Sequence, residues 1–127
     1  MITVKEAIKI QEVLIEEFGG KKGVRDLGAL ESAINRPYAT FNSMELYPNP
    51  VEKALAIIES IVVNHPFIDG NKRAGYVFMR LLLLKEGCTI DATEEEKYSF
   101  VIGIASGELK TEQIRLWLQE HVIQKSR

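Results

Sequence analysis

The sequence predicts an all-α fold: a compact bundle of about six helices with a buried central helix and a short extended flap. Apolar residues recur at helical spacing through most of the 127 residues, and helix-capping residues precede several of these stretches. No internal repeat, low-complexity stretch or interdomain linker interrupts the pattern. We therefore expect a single domain over residues 1–127.

The first 37 residues predict two helices. Thr3 and Glu6 form a capping-box pattern, and Gly19-Gly20 ends the helix that follows. Asp26 is placed to cap a short second helix, which closes before Pro37. The apolar residues with near-helical spacing are Ile8, Val13, Leu14, Ile15 and Phe18 in the first helix, and Leu27, Leu30 and Ile34 in the second.

The segment from Arg36 to Pro50 has no helical period. It contains three of the four prolines together with Tyr38, Phe41 and Tyr47. We predict an extended segment or loop here. As an extended flap it could pair with the backbone of another protein, while an ordinary loop packed by its aromatic residues fits the sequence equally well.

The middle of the chain predicts the central helices. Asn49 is a cap and Pro50 suits the first helical position, so a helix over Val51–Val63 is expected. A second helix from about Gly70 to Glu86, ended by Gly87, is apolar nearly all round after its first turns. This pattern is typical of a buried central helix.

Two further helices complete the bundle. Thr93 with Glu96 is a second capping box and opens a helix that runs to about Ala105. Thr111 is predicted to cap the last helix, whose apolar residues are Ile114, Leu116, Trp117, Leu118 and Val122. His121, near its end, is expected to act through the helix dipole rather than in catalysis.

Composition excludes several classes of function. The 46% hydrophobic and 27% charged residues are ordinary for a globular protein, and the net charge of −2 does not favour direct nucleic-acid binding. No apolar run is long enough to span a bilayer, and the first residues carry no secretory pattern. The single cysteine, Cys88, is expected to be a small buried residue in a reducing compartment. We expect a cytoplasmic protein without membrane contact.

The most informative segment is His65-Pro66-Phe67-Ile68-Asp69-Gly70-Asn71-Lys72-Arg73, which leads directly into the predicted central helix. A glycine-led turn at a helix start leaves backbone N–H groups unpaired, and with the helix dipole these groups can hold phosphate. Lys72 and Arg73 would add positive charge to that phosphate-binding site. Cations oppose the dipole at a helix N-terminus, so their presence favours a bound anion.

Two other residues of the segment have matching chemistry. Asp69 suits Mg²⁺, which takes one or two carboxylates together with phosphate oxygens. His65 could remove the proton of an attacking hydroxyl, because imidazole titrates near neutral pH. Each residue alone could belong to an ordinary turn, but the combination predicts a nucleotide phosphate site. His65 and Asp69 alone are too few ligands for a transition metal.

This segment resembles the signature of the Fic/Doc family, His-x-Phe-x-(Asp/Glu)-Gly-Asn-(Gly/Lys)-Arg. Lys72 replaces the second glycine of the Fic branch, and Tyr76 replaces a further arginine; both differences are similar to the Doc (death on curing) branch. The stretch Gly23–Pro37 also resembles Doc-type chains. Pro66 and Gly70, in contrast, are the residues expected in the Fic branch.

The resemblance implies an all-α Fic/Doc fold and an enzyme that uses Mg²⁺ and ATP. For a Doc-like toxin it implies transfer of the γ-phosphate to a Ser or Thr hydroxyl of a protein, by analogy elongation factor Tu, and arrested translation. The alternatives are a Fic-type AMP transferase and, less favoured, an interaction module without catalysis. An antitoxin with a disordered C-terminal segment is the implied partner, since the chain has no clear inhibitory Ser/Thr-x-x-x-Glu-Gly/Asn element.

The site residues follow from these expectations. His65 is the expected catalytic base and Asp69 the metal ligand. Pro66 and Phe67 are expected to be structural, fixing and anchoring the turn. The residues expected to bind the ATP phosphates are Gly70, Asn71, Lys72 and Arg73; the side chain of Asn71 either orients metal or phosphate or has no such role.

Overall fold

The computed structural model describes residues 1–125 and contains, within them, six α-helices and four short strands. The mostly helical bundle confirms the predicted fold class. The helices are α1 (Val4–Phe18), α2 (Leu27–Asn35), α3 (Pro50–Asn64), α4 (Asn71–Lys85), α5 (Glu94–Ser106) and α6 (Thr111–His121). Among the described residues, no helix combines the length and the apolar character needed to cross a membrane.

Side-chain caps begin four of the helices where the sequence predicted them. Thr3 and Glu6 at α1, and Thr93 and Glu96 at α5, form complete capping boxes. Asp26 and Asn49 each accept a hydrogen bond from the third helical residue of α2 and α3, at 3.0 Å in both cases. These local bonds define where the elements start.

The prediction for the start of α6 was wrong. The helix begins at Thr111 itself, and Lys110 is the N-cap, with its backbone N–H donating to Gln113 Oε1 at 2.9 Å. The Thr111 hydroxyl instead donates to Glu59 Oε2 on α3, at 2.6 Å. A tertiary bond has replaced the local cap that the sequence suggested.

Helices α3 and α4 form the centre of the bundle. Nine residues of α3 and seven of α4 are buried. A Cβ atom at Gly75 of α4 would lie only 2.7 Å from Val62 Cγ2 of α3, so glycine permits this close approach. The face of α4 that carries Tyr76 and Val77 is only half-buried, because it lines the cleft described below.

The predicted flap contains a small hairpin. After a 3₁₀ turn at Arg36–Tyr38, strand β1 (Thr40–Phe41) pairs antiparallel with β2 (Met44–Glu45). Asn42 and Ser43 connect the strands with φ angles of 53° and 64°, as a two-residue hairpin turn requires. The hairpin is fastened to α3 by Lys53, which lies 3.0 Å from Glu45 Oε1 and also bonds the Tyr47 carbonyl.

A second antiparallel pair was not predicted. Strand β3 (Cys88–Ile90) pairs antiparallel with β4 (Val122–Gln124), and Thr89 lies opposite Ile123. Val122 therefore begins a strand and does not continue the last helix, contrary to the sequence prediction. Cys88 is buried, as expected, but within this strand pair.

Candidate active site

Residues 65–70, here called the signature turn, join the C-terminus of α3 to the N-terminus of α4. His65 closes α3 in a left-handed conformation (φ 51°, ψ 60°), which is uncommon for a residue other than glycine. Its side chain is exposed. Phe67 is only 1% exposed and packs edge-on against Phe78, so it fixes the turn in the core while His65 stays at the surface.

The side chain of Asn71 closes the turn internally. Its Oδ1 accepts from the Phe67 N–H at 2.9 Å, and its Nδ2 donates to the Phe67 carbonyl at 3.0 Å. Asn71 is buried, and both ends of its amide are engaged. The side chain thus shapes the turn, and the backbone N–H of Asn71 is left for ligand binding.

The first turn of α4 is an open set of donors. Gly70 is the N-cap, with φ 74°, and no side chain caps this helix. Within residues 1–125, the backbone N–H groups of Asn71, Lys72 and Arg73 have no acceptor. Three N–H groups and the helix dipole can therefore act on one anion.

The Asp69 carboxylate is held beside this helix start. Its Oδ2 accepts from the Lys21 N–H at 3.1 Å, and its Oδ1 accepts from the Gly70 N–H at 2.9 Å. Each oxygen keeps a further lone pair, and the side chain is exposed. A single carboxylate can take part in binding Mg²⁺ when phosphate oxygens and water supply the other ligands. In the described part of the chain no group of three or more His, Cys, Asp or Glu residues could hold a metal ion.

A cleft of about 780 Å³ connects these groups. Among its lining residues are all six predicted to take part directly, namely His65, Asp69, Gly70, Asn71, Lys72 and Arg73. Pro66 and Phe67 are buried beneath them. The sequence-predicted residues therefore meet at one surface, and its dimensions suit a small-molecule ligand.

The two cations of the segment differ in their surroundings. Arg73 lies over the Phe18 ring, with its guanidinium carbon 4.2 Å from the ring centroid. Lys72 is exposed and makes no hydrogen bond or ion pair with residues 1–125. The aromatic contact orients Arg73 at the cleft, whereas Lys72 can follow a ligand.

The family comparison covers the part of the chain that carries this geometry. The family model described as the Fic/DOC family matches residues 1–83, which is more than half of the chain. The chain belongs to the Fic/DOC family. The resemblance seen in the sequence is thereby confirmed.

A protein similar to this Fic/DOC chain is Toxin Doc from Mycolicibacterium smegmatis (strain ATCC 700084 / mc(2)155). The two are 44% identical over 59 residues, which cover 46% of this chain and 45% of Toxin Doc. The similar region thus spans less than half the length of either protein. The name of this relative agrees with the Doc branch indicated by Lys72 and Tyr76.

One wall of the Fic/DOC cleft was not predicted as part of the site. Leu14 and Phe18 of α1 and Val101 and Ile102 of α5 line the cleft together with Tyr76 and Val77 of α4. Helix α5 also contributes Glu94, Lys97 and Tyr98, and lies beyond the residues that the family model matches. No sequence pattern predicted that α5 reaches the site, because its apolar residues are equally typical of a core helix.

Two polar residues that support the turn were also missed. Arg25 donates from Nε to the His65 carbonyl and from Nη2 to the Asn64 carbonyl, both at 2.6 Å. Gln11 is buried in α1 and bonds Asp69. The only sequence signal for Gln11 was its place between Ala7 and Ile15, four residues from each on an apolar helix face.

The other polar candidates have structural roles. His121 stacks on Trp117, which stacks on Phe100, at centroid distances of 4.0 and 3.8 Å. The ring nitrogens of His121 contact the Trp117 carbonyl at 2.7 Å and Glu96 at 3.6 Å. His121 does not line the cleft, in keeping with the structural role expected for it.

Proposed function

We propose that this chain is a Doc-like toxin that transfers the γ-phosphate of Mg-ATP to a Ser or Thr hydroxyl of a protein. The single observation that carries the proposal is the cleft in which an exposed imidazole, His65, lies with the uncapped N-terminus of α4 and its two cations. Phosphoryl transfer to a hydroxyl uses both a base and an anion-binding site, and this surface holds both.

His65 acts as the base. A ring nitrogen accepts the proton of the target hydroxyl while the hydroxyl oxygen forms a bond to the γ-phosphorus. The bond from that phosphorus to the β–γ bridging oxygen breaks, and ADP leaves with the electron pair. The exposed position of His65 at the end of α3 lets a protein side chain reach it.

The start of α4 binds the transferring phosphate. The backbone N–H groups of Asn71 and Lys72 supply fixed donors, and the side chains of Lys72 and Arg73 supply positive charge. Asp69 would hold Mg²⁺, which neutralises phosphate charge when bound. The backbone N–H groups, Arg73 and the Asp69 carboxylate are held by the fold before the ligand arrives, so little reorganisation of these groups is needed during the reaction.

Transfer of AMP is the alternative on the same scaffold, and Pro66 and Gly70 favour it. Lys72 favours phosphate transfer, because a lysine fills space that a glycine would leave beside the nucleotide and adds a point charge. We propose that it turns the nucleotide so that the γ-phosphate faces His65. Its exposed and unpaired side chain has the freedom to do so.

Isotope-labelled ATP decides between the two reactions. The protein is incubated with a bacterial lysate and with either γ-labelled or α-labelled ATP. The intact mass of the modified target is then measured by mass spectrometry. If the target gains the mass of one phosphate and takes up label only from γ-labelled ATP, the result supports kinase chemistry. If it gains the mass of AMP and takes up label from α-labelled ATP, the result establishes the alternative. Lys72→Gly is the matched variant: if Lys72 selects the γ-phosphate, this variant shifts the product ratio toward AMP.

The hairpin β1–β2 is the proposed docking edge for the target. Phe41 and Met44 are 68% and 72% exposed, and the sheet consists of β1 and β2 alone, so within residues 1–125 the outer edge of each strand has no partner strand. Bonds from Lys53 hold the hairpin on α3, the helix that ends in His65. A docked segment would therefore be held in a fixed relation to the base.

Surface substitutions test this docking. Phe41→Ser with Met44→Ser should raise KM for the protein target while the affinity for Mg-ATP stays unchanged. Leu116→Ser, at a similarly exposed apolar residue on α6, is the matched control. An unchanged KM in the double variant would show that the hairpin does not bind the target.

The target and the antitoxin are proposed by analogy with the Doc branch. Elongation factor Tu is the target to test first, with arrested translation as the consequence. The proposed partner is an antitoxin whose disordered C-terminal segment folds onto the toxin. An interaction module without catalysis would differ from the proposed enzyme in one respect: Mg-ATP would neither bind to it nor be turned over.

A further inference from the structure

Gln11 is a buried amide on the inner face of α1. It is 1% exposed and lies on one stripe with the buried residues Ala7 and Ile15. A buried amide is stable only when its donors and acceptor are paired. The partners of Gln11 therefore identify what the residue does.

Those partners lie in the α1–α2 loop and in the signature turn. Gln11 Nε2 donates to the Lys21 carbonyl at 3.2 Å and to the Asp69 carbonyl at 3.1 Å. Gln11 Oε1 accepts from the Gly23 N–H at 3.3 Å. One side chain thus joins the loop to a residue 58 positions later in the chain.

The loop that Gln11 holds also holds the Asp69 carboxylate. The Lys21 N–H donates to Asp69 Oδ2 at 3.1 Å. Gly20, with φ 114°, passes so close that a Cβ atom there would lie 2.7 Å from the same oxygen. Gln11 thereby fixes Asp69 at two points, at its backbone directly and at its carboxylate through the peptide of Lys21.

We infer that Gln11 is a positioning residue that sets the Asp69 carboxylate to bind a divalent cation together with the nucleotide phosphates. This inference rests on the proposed function, since it assumes that the cleft binds Mg-ATP. Groups that orient a metal ligand typically change metal affinity about 10–100-fold when they are removed. We expect an effect of about tenfold for Gln11.

The test is a Mn²⁺ titration of the full chain at a fixed ATP concentration, read as the rise in Tm. Gln11→Met keeps the length of the side chain and removes its three hydrogen bonds. The Mn²⁺ concentration at the midpoint should rise about tenfold, while the Tm shift that ATP gives without metal should stay the same. Gln119→Met makes the same chemical change at an exposed residue of α6 and should leave the midpoint unchanged.

Two further variants sharpen the result. Gln11→His retains one donor and one acceptor, so it should recover part of the lost affinity. Gly20→Ala leaves Gln11 intact but crowds the Asp69 carboxylate and strains the backbone at a φ of 114°, so it should raise the midpoint and also lower the Tm of the ligand-free protein. A role confined to stability would lower the Tm of the ligand-free protein without moving the midpoint.

The outcomes separate the inference from the proposed function. An unchanged midpoint in folded Gln11→Met overturns the inference alone. If that variant does not fold, Gln11→Asn decides, because it keeps an uncharged amide that is one methylene too short to reach the same partners: a raised midpoint supports the inference and an unchanged one overturns it. A wild-type protein whose Tm does not respond to Mn²⁺ and ATP overturns both proposals.

Discussion

Asn71 holds Phe67 by both ends of its side-chain amide. The Phe67 N–H donates to Asn71 Oδ1 at 2.9 Å, and Asn71 Nδ2 donates to the Phe67 carbonyl at 3.0 Å. The pair spans the turn from the aromatic ring in the core to the first helical residue of α4. The open start of α4 thus keeps its place because the turn before it is closed by a side chain.

Replacing the Asn71 amide by a carboxylate should loosen this turn. In Asn71→Asp the acceptor for the Phe67 N–H remains, but the donor is lost and a carboxylate oxygen faces the Phe67 carbonyl. We expect the free energy of unfolding to fall by about 1–3 kcal/mol, the loss typical for an unpaired buried polar group. Urea denaturation measures it.

Asn35→Asp is the matched control for this change. Asn35 is exposed at the end of α2 and its side chain makes no capping bond, so the effect there should stay within about 0.5 kcal/mol. Equal losses in the two variants would show that the double hydrogen bond of Asn71 contributes little to stability.

The backbone of His65 predicts a conflict between stability and activity. Its φ of 51° is left-handed, a conformation that glycine adopts without strain and alanine does not. His65→Gly should therefore be about 1 kcal/mol more stable than His65→Ala, although both should abolish transfer and keep Mg-ATP binding. Urea denaturation and the transfer assay measure the two properties. A His65→Ala variant as stable as His65→Gly would contradict the strain argument.

The sequence was most informative where structure depends on near neighbours. The capping boxes at Thr3 and Thr93 and the cap at Asn49 involve bonds between residues three apart, so residue types alone predict them. The signature from His65 to Arg73 is equally local. Its residues lie together at the cleft because they are consecutive in the chain.

Tertiary contacts account for what the sequence did not predict. The bond from Gln11 to Asp69 crosses 58 residues, and the pairing of β3 with β4 joins Thr89 to Ile123, on either side of α5 and α6. The same reason explains the start of α6, where Thr111 bonds Glu59 on a distant helix. No pattern within one segment encodes such partners.

The capping box of α5 makes stability depend on pH. Hydrogen bonds from the Thr93 backbone and then its side chain, together with His121, hold the pKa of Glu96 below its ordinary value of 4.5. Because the pKa is lower in the folded protein, the stabilisation is complete above pH 4.5 and is lost as the pH falls through the folded pKa. Urea unfolding between about pH 7 and about pH 3 should show this loss.

Glu96→Gln separates this charge effect from the geometry of the cap. Glutamine can complete the same capping box without titrating, so the variant should lose less stability in acid than the wild type. Glu95→Gln removes a charge from the same helical turn and is the control. An acid profile of Glu96→Gln identical to that of the wild type would exclude this carboxylate as a source of the pH dependence.

The contact between Arg73 and Phe18 makes a prediction for nucleotide binding. The ring holds the guanidinium at the cleft, at 4.2 Å, and a cation–π contact at an exposed site contributes about 0.5–1 kcal/mol. Phe18→Leu keeps an apolar side chain on the cleft wall and removes the π surface. If the contact orients Arg73 toward the phosphates, the Kd for ATP should rise about two- to fivefold by calorimetry without metal.

Phe41→Leu is the control: it removes an exposed ring from the hairpin, which does not line the cleft, and should leave the Kd unchanged. An unchanged Kd in Phe18→Leu would mean that Arg73 reaches the phosphates without the ring, and that Phe18 serves only as part of the apolar wall.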